Sequence, residues 1–258
     1  MSSHKLSNMS NRKKIFGLIG KKLGHSFSRD FFNNKFQCEN IIAEYLNFEI
    51  DSIDELNNII DSNPDLMGLN VTIPYKEKII PLLSEIDPMA KAIGAVNTIK
   101  ISRCSSDINL VGYNTDIIGF TNSLKPLLNS THKKALILGT GGAAKAMIAG
   151  LESLGLDVER VSRSKGNADF TYSDLTDDII RQHTVIVNST PLGMWPDIYS
   201  APQIPYDAIG ENHVVFDAVY NPNPTKFLEL CSQNGAVIKS GLEMLHGQAI
   251  AAWEIWIK

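Results

Sequence analysis

The sequence predicts an α/β protein in two parts. Three observations carry that expectation. Short apolar stretches alternate with helical ones along the chain, a polar break interrupts the pattern at Asn129–Lys134, and a glycine-rich turn at Gly139–Ala144 sits between an apolar run and a helix. A length of 258 residues suits one large domain or two ordinary ones, and 43% hydrophobic residues are enough for a real core.

The expected elements follow in order. Ile15–Gly20 reads as a buried strand, followed by a loop and a helical stretch around Asp30–Gln37. Glu44–Glu49 and Leu66–Thr72 are strand-like, with an amphipathic helical segment, Ile53–Asp61, between them. Tyr75–Leu83 reads as a helix carrying Pro81 near its end, and strand-like pieces recur at Ala95–Ile101 and Asn109–Tyr113. A helical connector, Ile117–Leu128, leads into the polar break. Beyond it come the strands Ala135–Gly139, Val158–Val161, Thr184–Val187, Val214–Val219 and Ala236–Lys239, with helices at Ala143–Leu154 and Met244–Ile257. The alternation points to a largely parallel sheet. No internal repeat or low-complexity block is present.

Composition narrows the function classes. The net charge is −4 with no long run of one sign, which argues against nucleic acid or an anionic membrane as the main partner. Cys38, Cys104 and Cys231 are odd in number and far apart, so neither a disulfide framework nor a metal site is expected. No stretch reaches the roughly 18 to 20 apolar residues needed to span a bilayer. Residues 1–14 are polar and lack the apolar core of a signal peptide, so they read as a disordered tail on a cytoplasmic protein.

Gly139-Thr140-Gly141-Gly142-Ala143-Ala144 fits the G-x-G-x-x-A dinucleotide pattern, directly after an apolar strand and directly before a helix. Gly139 permits the tight turn, Gly141 lets the backbone approach a pyrophosphate, and Ala144 allows close packing of helix on sheet. N–H groups at the helix start and the helix dipole then meet the phosphates. The second strand of such a unit usually ends in a carboxylate when a bare ribose is bound. Here the stretch is Val161-Ser162-Arg163-Ser164-Lys165, whose hydroxyls and cations suit a 2′-phosphate. NADP is the expected cofactor.

Four polar clusters in the first half stand where strands run out into loops, the usual place for ligand groups in open α/β sheets. They are His25–Ser28, Asn70–Lys76, Gly94–Thr98 and Gly112–Asp116. Each could also be turn or cap chemistry. Ser28 could cap a helix, and Asp116 could cap the connector helix. Later clusters are Asn188–Met194, Tyr220–Thr225 and Gly241–Ala249.

The order and wording of these clusters, Asn70-Val71-Thr72-Ile73-Pro74-Tyr75-Lys76, Gly94–Thr98 and Gly112–Asp116 above all, resemble the shikimate dehydrogenase family from about Ile15 to Trp256. The resemblance implies an N-terminal α/β substrate-binding domain, residues 15–118, onto which a C-terminal helix, 242–258, packs back. It further implies a Rossmann-like NADP-binding domain, 119–241, with the active site in the cleft between the two. The family reduces 3-dehydroshikimate reversibly to shikimate with NADPH. By resemblance, Ser26 and Ser28 would hold the substrate carboxylate. Asn70, Thr72, Asn97 and Gln248 would read ring hydroxyls, and Tyr220 would line the site. Lys76 and Asp116 would flank the reacting C–O group. Thr190, Met194, Val219 and Gly241 would lie near the cofactor's ribose and nicotinamide. Arg29, Lys21-Lys22, Thr140, Ser162 and Ser164 depart from the family's usual residues.

The chemistry is coherent on its own terms. Reducing a ketone leaves an alkoxide, which needs a proton and a nearby positive charge. A lysine beside a carboxylate supplies both, and sequence leaves open which of Lys76 and Asp116 carries the proton. The expected partner is a small molecule, and the chain is expected to be a monomer or homodimer. The rivals are a quinate/shikimate dehydrogenase using both NAD and NADP, a non-catalytic NADP-binding protein on the same scaffold, and a folate dehydrogenase of similar plan.

Overall fold

The computed structural model describes residues 12–24, 26–104, 107–166 and 168–258. Most of the expected tail, residues 1–11, lies outside the described residues, as does His25; Lys14 already opens the first strand. The chain divides into two compact units, one of residues up to Asn114 together with Ala252–Lys258, the other Thr115–Ala251.

The first unit holds β1 (Lys14–Gly20), α1 (Phe27–Cys38), β2 (Ala43–Glu49), α2 (Leu56–Ser62), β3 (Leu66–Val71), β4 (Glu85–Ile86), α3 (Pro88–Ile93), β5 (Thr98–Cys104) and β6 (Asp107–Tyr113). Its sheet runs β2-β1-β3-β5-β6-β4. The sheet is mixed rather than largely parallel: β1 runs parallel to β2 and β3, but β5 is antiparallel to both β3 and β6. The reason is local. Only two residues part β5 from β6, and strands joined that closely can pair only as a hairpin. Ile19, Leu69, Val71, Ile79, Val96 and Ile99 centre the core. Trp256 belongs to this unit: its indole stacks on Phe16 with centroids 5.0 Å apart and donates to Ile99 O at 3.0 Å. It fits because position 68 is glycine, where any Cβ would run into the indole.

One expected helix is absent here, and one observed helix was not expected. Tyr75–Leu83 is not a helix but a run of turns ending in a single 3₁₀ turn, Ile80–Leu82. Pro81 has no N–H to continue a helix, and Tyr75 is held from outside the segment by its hydroxyl, which donates to Ile50 O at 2.6 Å. Conversely, α3 went unread although its signals are in the sequence. Asp87 caps it by accepting from Met89 and Ala90 N–H, Pro88 opens it, and Gly94 closes it at φ +71.

The second unit holds α4 (Asp116–Leu124), β7 (Lys134–Leu138), α5 (Gly142–Ser153), β8 (Asp157–Ser162), β9 (Phe170–Thr171), α6 (Asp177–Gln182), β10 (Val185–Asn188), β11 (Val214–Asp217), α7 (Lys226–Gln233), β12 (Val237–Ser240) and α8 (Leu242–Ile257), whose last turns belong to the first unit. Its sheet, β12-β11-β10-β7-β8-β9, is parallel throughout. Parallel strands covered on both faces read as unbroken apolar runs, and Lys134–Leu138, Val185–Asn188 and Val214–Asp217 do. Alternate residues serve opposite faces. Leu136, Leu138, Ile186 and Val215 pack with Ile180, Phe227 and Leu228, whereas Ala135, Ile137, Val187 and Phe216 pack with Phe120, Met147 and Leu151. The unit is therefore a doubly wound sheet whose strand order turns back between β7 and β10, where ligands bind such folds. Helices α6 and α7 were not read from sequence, though Thr176 and Thr225 cap them.

Candidate functional site

In the first unit, the C-terminal ends of β1, β3 and β6 and the start of β5 lie at one end of the sheet. Four of the expected substrate residues stand there, all buried: Ser26, Ser28, Asn70 and Asn97. Tyr45, not anticipated, joins them. Its hydroxyl donates to Asn70 Oδ1 at 2.7 Å and is linked by a hydrogen bond to Ser28. Burial pushes the Tyr45 pKa well up, so the phenol stays a donor. With Oδ1 fixed, Asn70 Nδ2 faces Thr98 Oγ1 at 3.1 Å and Asn97 O at 3.3 Å, and Thr98 Oγ1 donates to Asn97 Oδ1 at 3.2 Å. The amides of Asn70 and Asn97 are thus oriented by a directional chain of buried hydrogen bonds.

The serines need one correction. Helix α1 begins at Phe27, so its cap is Ser26, not Ser28; Ser26 Oγ accepts from Arg29 N–H at 3.3 Å. Capping uses a lone pair on the oxygen and leaves the hydroxyl proton to donate. A capping Ser26 and an anion-binding Ser26 are therefore compatible, and the positive end of α1 favours an anion there. Thr72 and Lys76 are half-buried in the turn segment after β3. That segment is tied down through its backbone, Thr72 N–H to Ile19 O at 2.9 Å and Val96 N–H to Lys76 O at 2.8 Å. Asn114 Nδ2 donates to Ala95 O at 2.9 Å and pins the end of the Gly112–Asp116 cluster.

In the second unit Asp116 is not a cap. The N-cap of α4 is Thr115, and Asp116 is the buried first residue of the helix. One turn on, Gly119 lies so close to α8 that a Cβ on Gly247 would stand 3.0 Å from its Cα. Gln248, the next residue, is buried, with Nε2 donating to Leu245 O at 3.0 Å. Tyr220 and Met194 are exposed.

The glycine turn has the shape its pattern implies. Gly139 has φ +112, and a Cβ there would come within 2.6 Å of Ser189 Oγ. Gly141 is the N-cap of α5, offers no side-chain acceptor to the first-turn N–H groups, and would have open space around a Cβ. Thr140 is exposed, Gly142 and Ala143 are half-buried, and Ala144 is fully buried against the sheet. An uncapped 12-residue helix start behind an open glycine cradle fits a pyrophosphate. Strand β8, beside β7, ends at Ser162, and Arg163, Ser164 and Lys165 follow, all exposed. These residues fit a 2′-phosphate.

One residue that sequence reading missed organises the far side of this site. Asp217, fully buried at the end of β11, accepts at Oδ1 from Asn188 Nδ2 (2.9 Å) and Val219 N–H (3.0 Å), and at Oδ2 from Thr225 Oγ1 (2.5 Å). Asn188 Oδ1 in turn accepts from Thr190 N–H (3.0 Å) and Oγ1 (2.6 Å), and Val219 O accepts from Gly241 N–H (3.4 Å). Thr190, Val219 and Gly241, three of the expected cofactor residues, thus hang on one network. Burial pushes the Asp217 carboxyl up to about 6, although the hydrogen bonds from Thr225, Val219 and Asn188 pull it down. Among the described residues no cluster of His, Cys, Asp or Glu could hold a metal ion, and no helix is long and apolar enough to cross a membrane.

Comparison with known proteins agrees with this layout. Residues 18–99 match the family model described as the shikimate dehydrogenase substrate binding domain. The chain is 41% identical over 257 residues to the shikimate dehydrogenase (NADP(+)) of Clostridium perfringens, covering 94% of this chain and 92% of that one. It matches the solved shikimate dehydrogenase of Aquifex aeolicus with a TM-score of 0.83 at 36% identity, over 95% of this chain and 92% of the other. A shikimate dehydrogenase solved in complex with NADP+ matches with a TM-score of 0.81 at 33% identity, over 95% and 90%. End-to-end likeness at this level of identity places the chain in the shikimate dehydrogenase family.

Proposed function

We propose that this chain catalyses the reversible NADPH-dependent reduction of 3-dehydroshikimate to shikimate. The observation that carries the reading is the buried hydrogen-bond chain from Ser28 through Tyr45, Asn70 and Thr98 to Asn97. A polyhydroxylated carboxylate needs hydroxyl and amide groups whose directions are set before it arrives, and this chain sets them. Asn70 has both N–H groups turned toward protein acceptors, so it meets a ring hydroxyl as an acceptor, through the second lone pair of Oδ1. Ser26, at the positive end of α1, donates its hydroxyl proton to the carboxylate, and Ser28 joins it by turning its single hydroxyl proton from the Tyr45 oxygen to the acid. Thr72, Gln248 and Tyr220 complete the substrate contacts.

Bound NADPH supplies the hydride. The ketone oxygen then needs positive charge and a proton, the roles we assign to Lys76 and Asp116: the ammonium stabilises the developing alkoxide, and the proton passes to oxygen from one of the two. In the oxidative direction the same pair receives it. The glycine turn and the start of α5 hold the pyrophosphate, while Ser162, Arg163 and Ser164 meet the 2′-phosphate. A relative that is a shikimate dehydrogenase (NADP(+)), and another solved in complex with NADP+, support this choice. The enzyme acts as a monomer or homodimer on a small molecule, in the cytoplasm.

The test is the appearance of reduced nicotinamide with shikimate and quinate side by side, each with NADP+ and NAD+. Turnover confined to shikimate with NADP+ is expected. Equal turnover of quinate, or equal use of NAD+, moves the dual-specificity reading ahead; no turnover of either acid overturns the assignment.

A further inference from the structure

We propose that Asp217 is a positioning residue for the nucleotide: a buried carboxylate that holds together the two loops, 189–194 and 218–225, that this chain lays against its cofactor. The proposal rests on the NADP reading above and deepens it. Asn188 and Asp217 close neighbouring parallel strands in register, so their side chains meet at the end of the sheet where the strand order turns back. The carboxylate has no exposed surface, so it acts through its three donors.

Each donor leads to a different piece of the site. Through Asn188 Nδ2 it fixes which way the Asn188 amide faces, and the fixed Oδ1 then receives both the N–H and the hydroxyl of Thr190. Through Val219 N–H it turns the chain just past β11, next to Tyr220 and against Gly241. Through Thr225 Oγ1 it closes the segment that carries Tyr220, since the same Thr225 oxygen caps α7 by accepting from Leu228 N–H at 3.3 Å. An apolar residue at position 217 would fill the volume and hold the sheet, but would leave Asn188 Nδ2 and Val219 N–H without an acceptor. The loops, not the sheet, depend on the acid.

The test uses the full chain and two readouts, NADPH dissociation constant by tryptophan fluorescence and amide hydrogen exchange. Asp217→Ala is expected to weaken NADPH binding at least about tenfold, the scale of losing hydrogen bonds to a charged group. Exchange should rise at Thr190 and Val219 while β7, β8 and β10 stay protected. Asp217→Asn should recover most of the affinity, because its carbonyl can keep the Oδ1 contacts while the Thr225 hydroxyl rotates to accept from the new amide. A merely structural role would raise exchange across the whole sheet and leave the affinity of the folded fraction unchanged. Should Asp217→Ala fail to fold, Thr225→Val against Thr225→Ser makes the same comparison, with only the valine weakening NADPH. Wild-type affinity together with unchanged exchange in the two loops of a folded alanine or valine variant overturns the role of Asp217. A wild-type chain with no affinity for NADPH overturns the functional reading instead.

Discussion

Replacing Asp217 by asparagine should make the protein more stable at neutral pH and slightly less stable in strong acid. The carboxyl is fully buried and its pKa is raised from 3.8 to about 6. A raised folded-state pKa means that the fold prefers the protonated acid. The stability this group contributes is complete below the unfolded value and is lost as pH climbs through about 6. Ionised, it burdens the folded state by about 3 kcal/mol relative to the neutral acid. Asparagine cannot ionise. Its carbonyl keeps the Asn188 and Val219 contacts, and reversing the Thr225 hydrogen bond costs about 1 kcal/mol. The net gain at neutral pH is therefore about 2 kcal/mol, a rise in Tm of a few degrees for a unit of this size.

The measurement is urea or thermal unfolding of wild type and Asp217→Asn at about pH 4 and about pH 8, where all other titrating groups cancel in the difference. The variant should lead at the higher pH, with the lead gone at the lower. A lead of equal size at both values, or a variant less stable at pH 8 than at pH 4 relative to wild type, refutes the argument. Either result would mean that the hydrogen bonds outweigh desolvation and that Asp217 is an ordinary low-pKa acid in the fold.

Three further outcomes follow from the site. Lys76→Ala should lower kcat by about 10² to 10⁴, the usual worth of a positioned acid–base group, with circular dichroism and NADPH affinity unchanged; near-wild-type turnover would remove Lys76 from the chemistry. Ser26→Ala should cost about 1 kcal/mol of stability as a lost helix cap and also raise the KM for shikimate, whereas a change in stability alone would leave Ser26 as a cap and nothing more. Arg163→Ala should raise the KM for NADP+ about ten- to hundredfold, the worth of one charge-assisted contact, and leave that for NAD+ nearly unchanged. The NADP+ effect should shrink in high salt because Arg163 is exposed; equal damage with both cofactors would make Arg163 a contact to the shared part of the nucleotide.

What sequence could and could not disclose divides along physical lines. The second unit was legible because strands buried on both faces must be apolar throughout, and the glycine turn needs residues without a Cβ. Both requirements act on single positions, so they show in the chain itself. The helix expected at Tyr75–Leu83 failed because Tyr75 is held by Ile50 O, a partner 25 residues away that no local pattern reports. The same limit hid Tyr45, whose place beside Asn70 is set by the lateral order of β2, β1 and β3. Asp217 is the instructive case. It interrupts the apolar run of the expected strand Val214–Val219, and a lone polar residue there gives no local sign of its partner. Its role follows only once β10 and β11 are known to be parallel neighbours in register, which sets Asn188 against Asp217 at their ends. Among parallel strands, a carboxylate and an amide at such ends are candidates for partners rather than for surface. The loops beyond them, 189–194 and 218–225, take their shape from that pairing.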